Sequence, residues 1–338
     1  MNGGRERILN FLILFLFVTF AVSSCRNSPE YYLSQGEVFH TSFHIKYRHN
    51  KLLGDEIRAV LDSFDLSLNP FNKESVIYKV NNNRPVEVDR YFATVFDKAQ
   101  EVSEASDGAF DVTCAPLVNL WGFGFNESDS VTPQMVDSLK SFVGYRKIRL
   151  ENNRIIKEDP RVILNMSAIA KGYSCDVVAG LLDSYGIEDY MVEIGGEVRV
   201  KGQNPNGVCW KIEITRPDDD RSGLRKERLE VVELCNRSMA TSGNYRNYYI
   251  RDGKKYAHTI DPRTGYPAEN EMLSATVIAG DCMTADAYAT AFMTLGLDEA
   301  CKLADDLPEL DYIFVYSDRE GVMKIIRSKG LSDYSRYK

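Results

Sequence analysis

Residues 190–200 read YMVEIGGEVRV, and this stretch indicates the fold class of the chain. Tyr190–Ile194 and Val198–Val200 are rich in residues that favour β-strands, and the pair Gly195-Gly196 separates them. A double glycine at such a place is either a plain turn or a point where a ligand approaches the backbone closely. The stretch therefore predicts two strands that are neighbours in the chain.

Strand-like and helix-like segments continue on both sides of this stretch. The strand-like segments are Val38–Tyr47, Trp210–Thr215, Leu229–Leu234 and Ser274–Ile278, with a hairpin over residues 146–157 that turns at Asn152-Asn153. The helical periodicities are Asp55–Phe64 and Tyr91–Ala105, with a loop after the first at Leu68–Glu74. Because the sequence contains no internal repeat and no low-complexity linker, it predicts one α+β domain of mixed sheets and packed helices.

The N-terminus has the pattern of a bacterial lipoprotein signal peptide. Arg5 and Arg7 precede the apolar run Ile8–Val22, which is short for a permanent membrane span, and small residues lead to Cys25. We expect residues 1–24 to be removed and Cys25 to be lipidated. An ordinary signal peptide or an uncleaved anchor helix are the alternatives, and each of them also exports the chain.

The mature chain is expected to begin with a tether over residues 25–36, followed by the folded domain over residues 37–338. Its location is then the periplasmic side of the cell membrane, with the lipid anchor in the inner rather than the outer membrane. The formal charge of −8 becomes −9 without residues 1–24, which carry two arginines and one glutamate. This acidic balance argues against nucleic acid as a partner.

The six cysteines after Cys25 are widely spaced and form no C-x-x-C pair. We interpret them mostly as small buried hydrophobic residues, and the sequence implies no zinc site. An oxidising periplasm would permit disulfides, but spacing alone cannot select a pairing.

The segment Thr284–Ala291 predicts a helix that could hold a metal ion. Asp286 and Thr290 are four residues apart, so their side chains share one helix face. A carboxylate and a hydroxyl are hard oxygen ligands that suit magnesium or calcium. The alternative is that Asp286 complements the helix dipole and Thr290 only packs.

A second segment, Leu164–Asp176, predicts an apolar strand end that turns into a helix. Such a junction presents unpaired backbone N–H groups to a phosphate, with Lys171 as a point charge and Gly172 allowing close approach. The alternative is an ordinary strand-to-helix turn with a solvated lysine.

Three further segments combine turns with residues that could contact a ligand. His258 precedes an Asp-Pro turn over residues 258–265, hydroxyls flank a glycine over residues 239–245, and aromatic side chains follow Asp111 over residues 106–124. A lone histidine is commonly structural and aromatic clusters commonly form core, so each segment alone is a weak indicator.

In this order and spacing the segments resemble the ApbE family of FAD:protein FMN transferases. The resemblance covers about Val38 to Ala291, and the matching stretches are S-x-G-x-F-D-V-T, P-L-V-N-L-W-G-F-G, A-I-A-K-G-Y, I-G-G-E, A-T-S-G-N-Y, H-T-I-D-P-R-T-G and A-D-A-x-A-T. It implies an α+β fold and a magnesium ion held by the side chains of Asp286 and Thr290 and by the backbone carbonyl of Ala168.

The resemblance also implies a set of contacts with FAD. The positions are Phe39, Phe71, Ala109, Phe110, Asp111, Asn165, Lys171 and His258. Asn165 stands where many members have aspartate, and Phe39-His40-Thr41 stands where the family often has Met-Gly-Thr. Phe71 occupies an aromatic position that is usually tyrosine or tryptophan.

The implied reaction is magnesium-dependent transfer of FMN from FAD to a threonine or serine hydroxyl of a partner protein, with release of AMP. His258 is the first candidate for the base, and a role only in binding flavin or ordering the Asp261 turn is the alternative. The implied partner is a flavoprotein subunit of a membrane redox complex. Two other functions stay open: a magnesium-dependent FAD pyrophosphatase that releases FMN and AMP, and a non-catalytic FAD-binding lipoprotein.

Overall fold

The stretch over residues 190–200 forms a tight antiparallel hairpin in a computed structural model of the chain. Its strands pair from Tyr190 opposite Lys201 to Ile194 opposite Glu197. Gly195 and Gly196 form the two-residue turn with φ of 65° and 104°, a conformation that glycine adopts without strain. The predicted pair of strands is therefore confirmed, and it lies inside the main sheet.

The structure describes residues 30–123, 131–217, 227–244, 248–251, 254–257 and 259–331. Its α-helices there are α1 (Gly54–Leu68), α2 (Val76–Asn81), α3 (Arg90–Ala105), α4 (Ala115–Leu120), α5 (Pro133–Lys140), α6 (Ser167–Ser184), α7 (Cys282–Leu295) and α8 (Leu297–Asp305). Within those ranges, none of the helices combines the length and apolar character needed to span a bilayer.

The strands up to residue 215 are β1 (Glu30–Val38), β2 (Thr41–His49), β3 (Ile148–Glu151), β4 (Arg154–Lys157), β5 (Tyr190–Ile194), β6 (Glu197–Lys201) and β7 (Trp210–Thr215). The strands after it are β8 (Arg228–Leu234), β9 (Ser238–Gly243), β10 (Tyr248–Arg251), β11 (Lys254–Ala257), β12 (Ile260–Asp261), β13 (Tyr266–Pro267), β14 (Met272–Ala279), β15 (Asp311–Ser317) and β16 (Met323–Arg327). Among the described residues, eight of them form an antiparallel sheet in the order β1-β2-β5-β6-β9-β14-β15-β16.

Helices cover one face of the main sheet and the β7–β8 hairpin covers part of the other. Side chains alternate along a strand, so Val198 and Val200 of β6 pack with Trp210 of the hairpin. Glu197 and Arg199 of the same strand instead reach helix α6. The mixed arrangement of helices and antiparallel strands confirms the predicted α+β class.

The N-terminal part of the fold corrects two sequence predictions. Residues 30–36, expected in a tether, belong to β1, which pairs along its whole length with β2. The expected strand Val38–Tyr47 is broken because Phe39 and His40 form the β1–β2 turn, with φ of 51° and 59°. This turn was not predicted from the sequence, because it lacks the Asn-Gly pair that typically indicates a two-residue hairpin turn.

The hairpin predicted over residues 146–157 is confirmed with shorter strands, β3 and β4, and Asn152 and Asn153 both have positive φ in its turn. The strand end predicted before α6 is absent, since Leu164 lies in an irregular segment held by hydrogen bonds with Asn81. Cys114, Cys175 and Cys282 are buried as expected. Cys209 and Cys235, in contrast, form a disulfide that joins the paired ends of β7 and β8.

Candidate active site

Two adjoining cavities, of about 520 and 610 Å³, form a cleft beside the start of α6. Asn165, Ser167 and Lys171 line both of them. The first cavity also contains Ala109, Phe110, Asp111, Ala168, Asp286 and Thr290, and the second contains Phe39 and Phe71. The structure therefore brings together all the predicted site residues that it describes. His258 and Cys25 lie outside the described residues.

Helix α7 positions the predicted metal ligands Asp286 and Thr290. Its first turn is capped by Asp281, which accepts a hydrogen bond from Thr284 N at 2.8 Å. Asp176 on α6 adds a second tie, because its carboxylate accepts from Cys282 N at 2.9 Å and Met283 N at 2.8 Å. These bonds fix the start of α7 against α6, and the two ligands follow one and two turns later.

Asp286 is buried, with only 3% of the residue exposed. Its Oδ2 accepts a hydrogen bond from Gly172 N at 2.9 Å, and this is its one hydrogen bond to the described part of the chain. Burial raises the pKa of Asp286, although nearby Lys171 and the Gly172 N–H act in the opposite direction. A buried carboxylate with so few partners is a site where a cation would be stabilised.

The Gly172 bond also bears on Ala168. In a regular α-helix the N–H of residue 172 would bond the carbonyl of residue 168. Here that N–H also donates to Asp286 Oδ2, so any hydrogen bond that it makes to the Ala168 carbonyl is a shared one. Thr290 completes the predicted set, and its Oγ1 lies 3.2 Å from Ser242 Oγ.

The donor set suits magnesium in kind, since it combines a carboxylate, a hydroxyl and a carbonyl oxygen around one cavity. In the part of the chain that the structure describes, no three His, Cys, Asp or Glu side chains converge as a metal cluster. The residues therefore fit a hard cation that leaves several positions open for water or phosphate oxygens, which is common for magnesium.

Lys171 and Glu197 form an ion pair at the floor of the first cavity. Lys171 Nζ donates to Glu197 Oε1, and the other carboxylate oxygen, Oε2, is buried without a hydrogen-bond partner among the described residues. Burial raises the pKa of Glu197 to about 7, with Lys171 opposing that shift and Asp286 adding to it. The pKa of Lys171 is raised because the attraction of the two carboxylates outweighs its burial.

Glu197 was not among the site residues predicted from the sequence, although it is the last residue of the I-G-G-E stretch. The available signal was the alternation along β6, which places Glu197 and Arg199 on the same face. Ser242 was also missed as a neighbour of Thr290, and its position in the A-T-S-G-N-Y stretch was the only hint.

The predicted contact Asp111 has an anchoring role in the structure. Its Oδ1 accepts from Thr113 N and Oγ1, both at 2.7 Å, and its Oδ2 accepts from Tyr145 N at 2.8 Å. Burial raises the pKa of Asp111 and these hydrogen bonds oppose it. Both carboxylate oxygens of Asp111 therefore already accept hydrogen bonds from Thr113 and Tyr145. A flavin contact at this position would use the surrounding backbone or Phe110.

The second cavity has mainly apolar walls. Phe39 packs on Phe64 with ring centroids 5.4 Å apart, and Phe71, which is 60% exposed, meets His40 edge to face at 5.8 Å. Aromatic walls with one open side suit a flat ring system. The shape of this cavity therefore suits a flat ring system such as a flavin or an adenine, and the polar residues of the cavity beside it suit phosphates.

The Asp-Pro turn predicted after His258 borders the first cavity through Thr259, Ile260 and Pro262. Asp261 is held by its own neighbour, because Arg263 N and Nε donate to its Oδ1 at 2.9 and 3.0 Å. The turn is thus stabilised within the described residues 259–265.

Comparison with known proteins supports the resemblance to the ApbE family. The model of the ApbE family matches residues 39–314. A FAD:protein FMN transferase of Vibrio cholerae is 37% identical over 295 residues, covering 84% of this chain and 87% of that protein. One from Haemophilus influenzae is 34% identical over 329 residues, covering 92% and 94%.

Solved structures agree in fold. The flavin transferase ApbE from Vibrio cholerae superposes with a TM-score of 0.80 at 34% identity, covering 90% of this chain and 99% of that one. The apo flavinyl transferase ApbE of Pseudomonas stutzeri gives 0.80 at 29% identity, covering 90% and 96%. With a family match over most of its length and these relatives, the chain belongs to the ApbE family.

Proposed function

We propose that this chain transfers FMN from FAD to a threonine or serine hydroxyl of a partner protein and releases AMP. The main structural support for this function is that Asp286, Thr290 and Ala168 line one cavity, and Lys171 lines the same cavity. The names of the relatives from Vibrio cholerae and Haemophilus influenzae support the same reaction.

Asp286, Thr290 and the carbonyl of Ala168 would hold a magnesium ion. When bound, the ion would neutralise charge on the pyrophosphate oxygens, which is the main requirement of phosphoryl transfer. The acceptor oxygen forms a bond to the FMN-side phosphorus, and the bond from that phosphorus to the AMP oxygen breaks. The Lys171 ammonium binds and orients the phosphates. The N–H groups of Ser167, Ile169 and Ala170 in the first turn of α6 do not share this role, because they already donate to Asn165 and Met166.

The acceptor hydroxyl must lose its proton as the new bond forms. We assign that proton to His258, because an imidazole has an ordinary pKa near neutrality and its neighbour Thr259 lines the cavity. AMP leaves with the electron pair of the broken bond.

The test is to incubate the protein with FAD, magnesium and a candidate acceptor domain, and to measure the acceptor by mass spectrometry. The expected result is addition of one FMN together with AMP in solution. Free FMN and AMP with an unlabelled acceptor would instead identify a pyrophosphatase, and unchanged FAD would identify a binding protein. Asp286→Ala should abolish turnover at millimolar magnesium, whereas Asp298→Ala, an exposed aspartate of α8, should not.

We further propose that the chain is exported and held on the periplasmic side of the cell membrane, at the inner membrane, by lipid on Cys25 after removal of residues 1–24. The Cys209–Cys235 disulfide supports this location, because such bonds persist in oxidising compartments. The acceptor would then be a flavoprotein subunit of a membrane redox complex. Cys25→Ser should abolish labelling by radioactive palmitate and release the protein from membranes, and retained labelling would contradict the lipid assignment.

A further inference from the structure

Lys171 lies close to two buried carboxylates, Asp286 and Glu197, but it hydrogen-bonds only one of them. Its Nζ donates to Glu197 Oε1, whereas the single hydrogen bond of Asp286 in the described part of the chain comes from Gly172 N. Both carboxylates attract the ammonium strongly enough to raise the pKa of Lys171 in spite of its burial. Asp286 therefore faces a nearby cation without being paired to it.

We infer, on the basis of the metal site proposed above, that Glu197 is a positioning residue: it holds the Lys171 ammonium away from Asp286 and so keeps the Asp286 carboxylate open to a divalent cation. A lysine side chain is long and flexible and carries three donors. Without Glu197, the ammonium would turn to Asp286, a carboxylate that lines the same cavity and is bonded through Oδ2 to the N–H of Gly172, the residue after Lys171. An ammonium paired there would compete directly with magnesium.

The fold holds Glu197 rigidly enough for this role. It is the first residue of β6, directly after the Gly195-Gly196 turn, and the alternation of the strand directs it toward α6. Two residues further along β6, Arg199 donates to Asp176 Oδ1 at 2.6 Å. These two ion pairs tie β6 to α6 on either side of Gly172, so the carboxylate of Glu197 has a fixed place relative to Lys171.

The unpaired oxygen of Glu197 argues against a purely structural role. Oε2 is buried beneath the turn, so close that a Cβ placed on Gly195 would lie 3.4 Å from it, and it has no hydrogen-bond partner among the described residues. A buried charge with an unsatisfied oxygen destabilises the folded state, and an apolar or amide side chain of similar size would serve packing better. Retaining a carboxylate here is explained by its effect on Lys171.

The experiment measures binding of Mn²⁺, which prefers the same oxygen ligands as magnesium, from the electron paramagnetic resonance signal of the free ion. It uses the full chain purified in detergent without flavin, at pH 8, where Glu197 is mostly ionised. We expect Glu197→Gln to weaken Mn²⁺ binding at least about tenfold, the size seen when partners of metal ligands are removed. Glu193→Gln is the matched control, because Glu193 lies on the same hairpin but pairs with His44 at 2.6 Å, and it should bind as the unaltered protein does.

A double-mutant cycle separates this role from a simple loss of negative charge. Lys171→Met should strengthen binding at least tenfold in the Glu197→Gln background and by less than about threefold in the unaltered chain. Equal strengthening in both backgrounds would overturn the inference, because it would mean that Lys171 does not change partner. Thermal melting verifies folding of each variant, and Glu197→Met replaces Glu197→Gln if the latter does not fold.

The same Mn²⁺-binding measurement tests the metal site and the role of Glu197 separately. If Asp286→Ala loses Mn²⁺ binding while Glu197→Gln retains it, the metal site stands and the role of Glu197 is wrong. If Asp286→Ala binds Mn²⁺ as tightly as the unaltered chain, the metal site itself is wrong.

Discussion

The backbone N–H of Gly172 donates to Asp286 Oδ2 at 2.9 Å, and this bond joins the two helices of the site. It is possible because α6 and α7 approach very closely at this point. A Cβ placed on Gly172 would lie 2.3 Å from the Cys282 carbonyl oxygen and 2.7 Å from Asp286 Cβ. The glycine is therefore required by the contact between helices, and the same contact holds the predicted metal ligand in place.

Gly172→Ala should separate α6 from α7 and disable the site. The expected loss of unfolding free energy is about 1–3 kcal/mol, the usual effect of overpacking, with a large loss of FMN transfer because Asp286 moves. Gly180→Ala on the same helix is the matched control, since nothing lies within 4 Å of its added Cβ. That variant should gain about 0.4–1 kcal/mol. Urea denaturation measures the unfolding free energy of both variants. Equal values for Gly172→Ala and Gly180→Ala would contradict the role of the contact between the two helices.

Local patterns revealed those parts of the fold and site whose determinants are close in sequence. The four-residue spacing of Asp286 and Thr290 and the Asn152-Asn153 turn are examples, and both lie in the structure as expected. Glu197 was not found, because alternation along β6 shows which residues share a face but not which helix covers that face. The Cys209–Cys235 disulfide could not be predicted from the sequence either, because only the pairing of β7 with β8 brings the two cysteines together.

Asn165→Asp should preserve the start of α6 and activity within about threefold. Asn165 Oδ1 accepts from Ser167 N at 2.9 Å, and an aspartate oxygen can accept the same bond. Asn165→Ala lacks an acceptor, so we expect it to lower the unfolding free energy by about 1 kcal/mol. Thermal melting and the KM for FAD are measured for both variants. Equal melting temperatures and equal KM values would show that the hydrogen bond from Ser167 N contributes to neither stability nor FAD binding.

Removing the Cys209–Cys235 disulfide should lower stability without affecting the chemistry. The two cysteines are 26 residues apart, and closing a loop of this length stabilises a protein by about 2–4 kcal/mol. Neither cysteine lines the cleft, so the double variant Cys209→Ser/Cys235→Ser should retain its kcat. Urea denaturation and an FMN-transfer assay provide the two measurements, with Cys301→Ser, at a free cysteine, as control. A fall in kcat larger than about threefold would indicate that the β7–β8 hairpin contributes to the site.

The buried Glu197 carboxylate should make the stability of the metal-free protein depend on pH. Burial raises its pKa from 4.5 to about 7, so the folded state binds this proton more tightly than the unfolded state does. The stability contributed by the protonated group is therefore complete below about pH 4.5 and is lost as the pH rises through about 7.

Glu197→Gln mimics the protonated form and should escape this loss. In EDTA, we expect the unfolding free energy of Glu197→Gln, relative to the unaltered chain, to increase by on the order of 2–3 kcal/mol between pH 4.5 and pH 8, since one pKa unit corresponds to about 1.4 kcal/mol. Glu188→Gln is the control for loss of a surface carboxylate, because the Glu188 side chain is 75% exposed and its partner is Lys201 rather than a histidine. Urea titrations at four pH values measure both variants. A difference for Glu197→Gln that stays constant with pH would mean that Glu197 is ionised as readily in the folded chain as in the unfolded one, and that its burial is relieved by solvent.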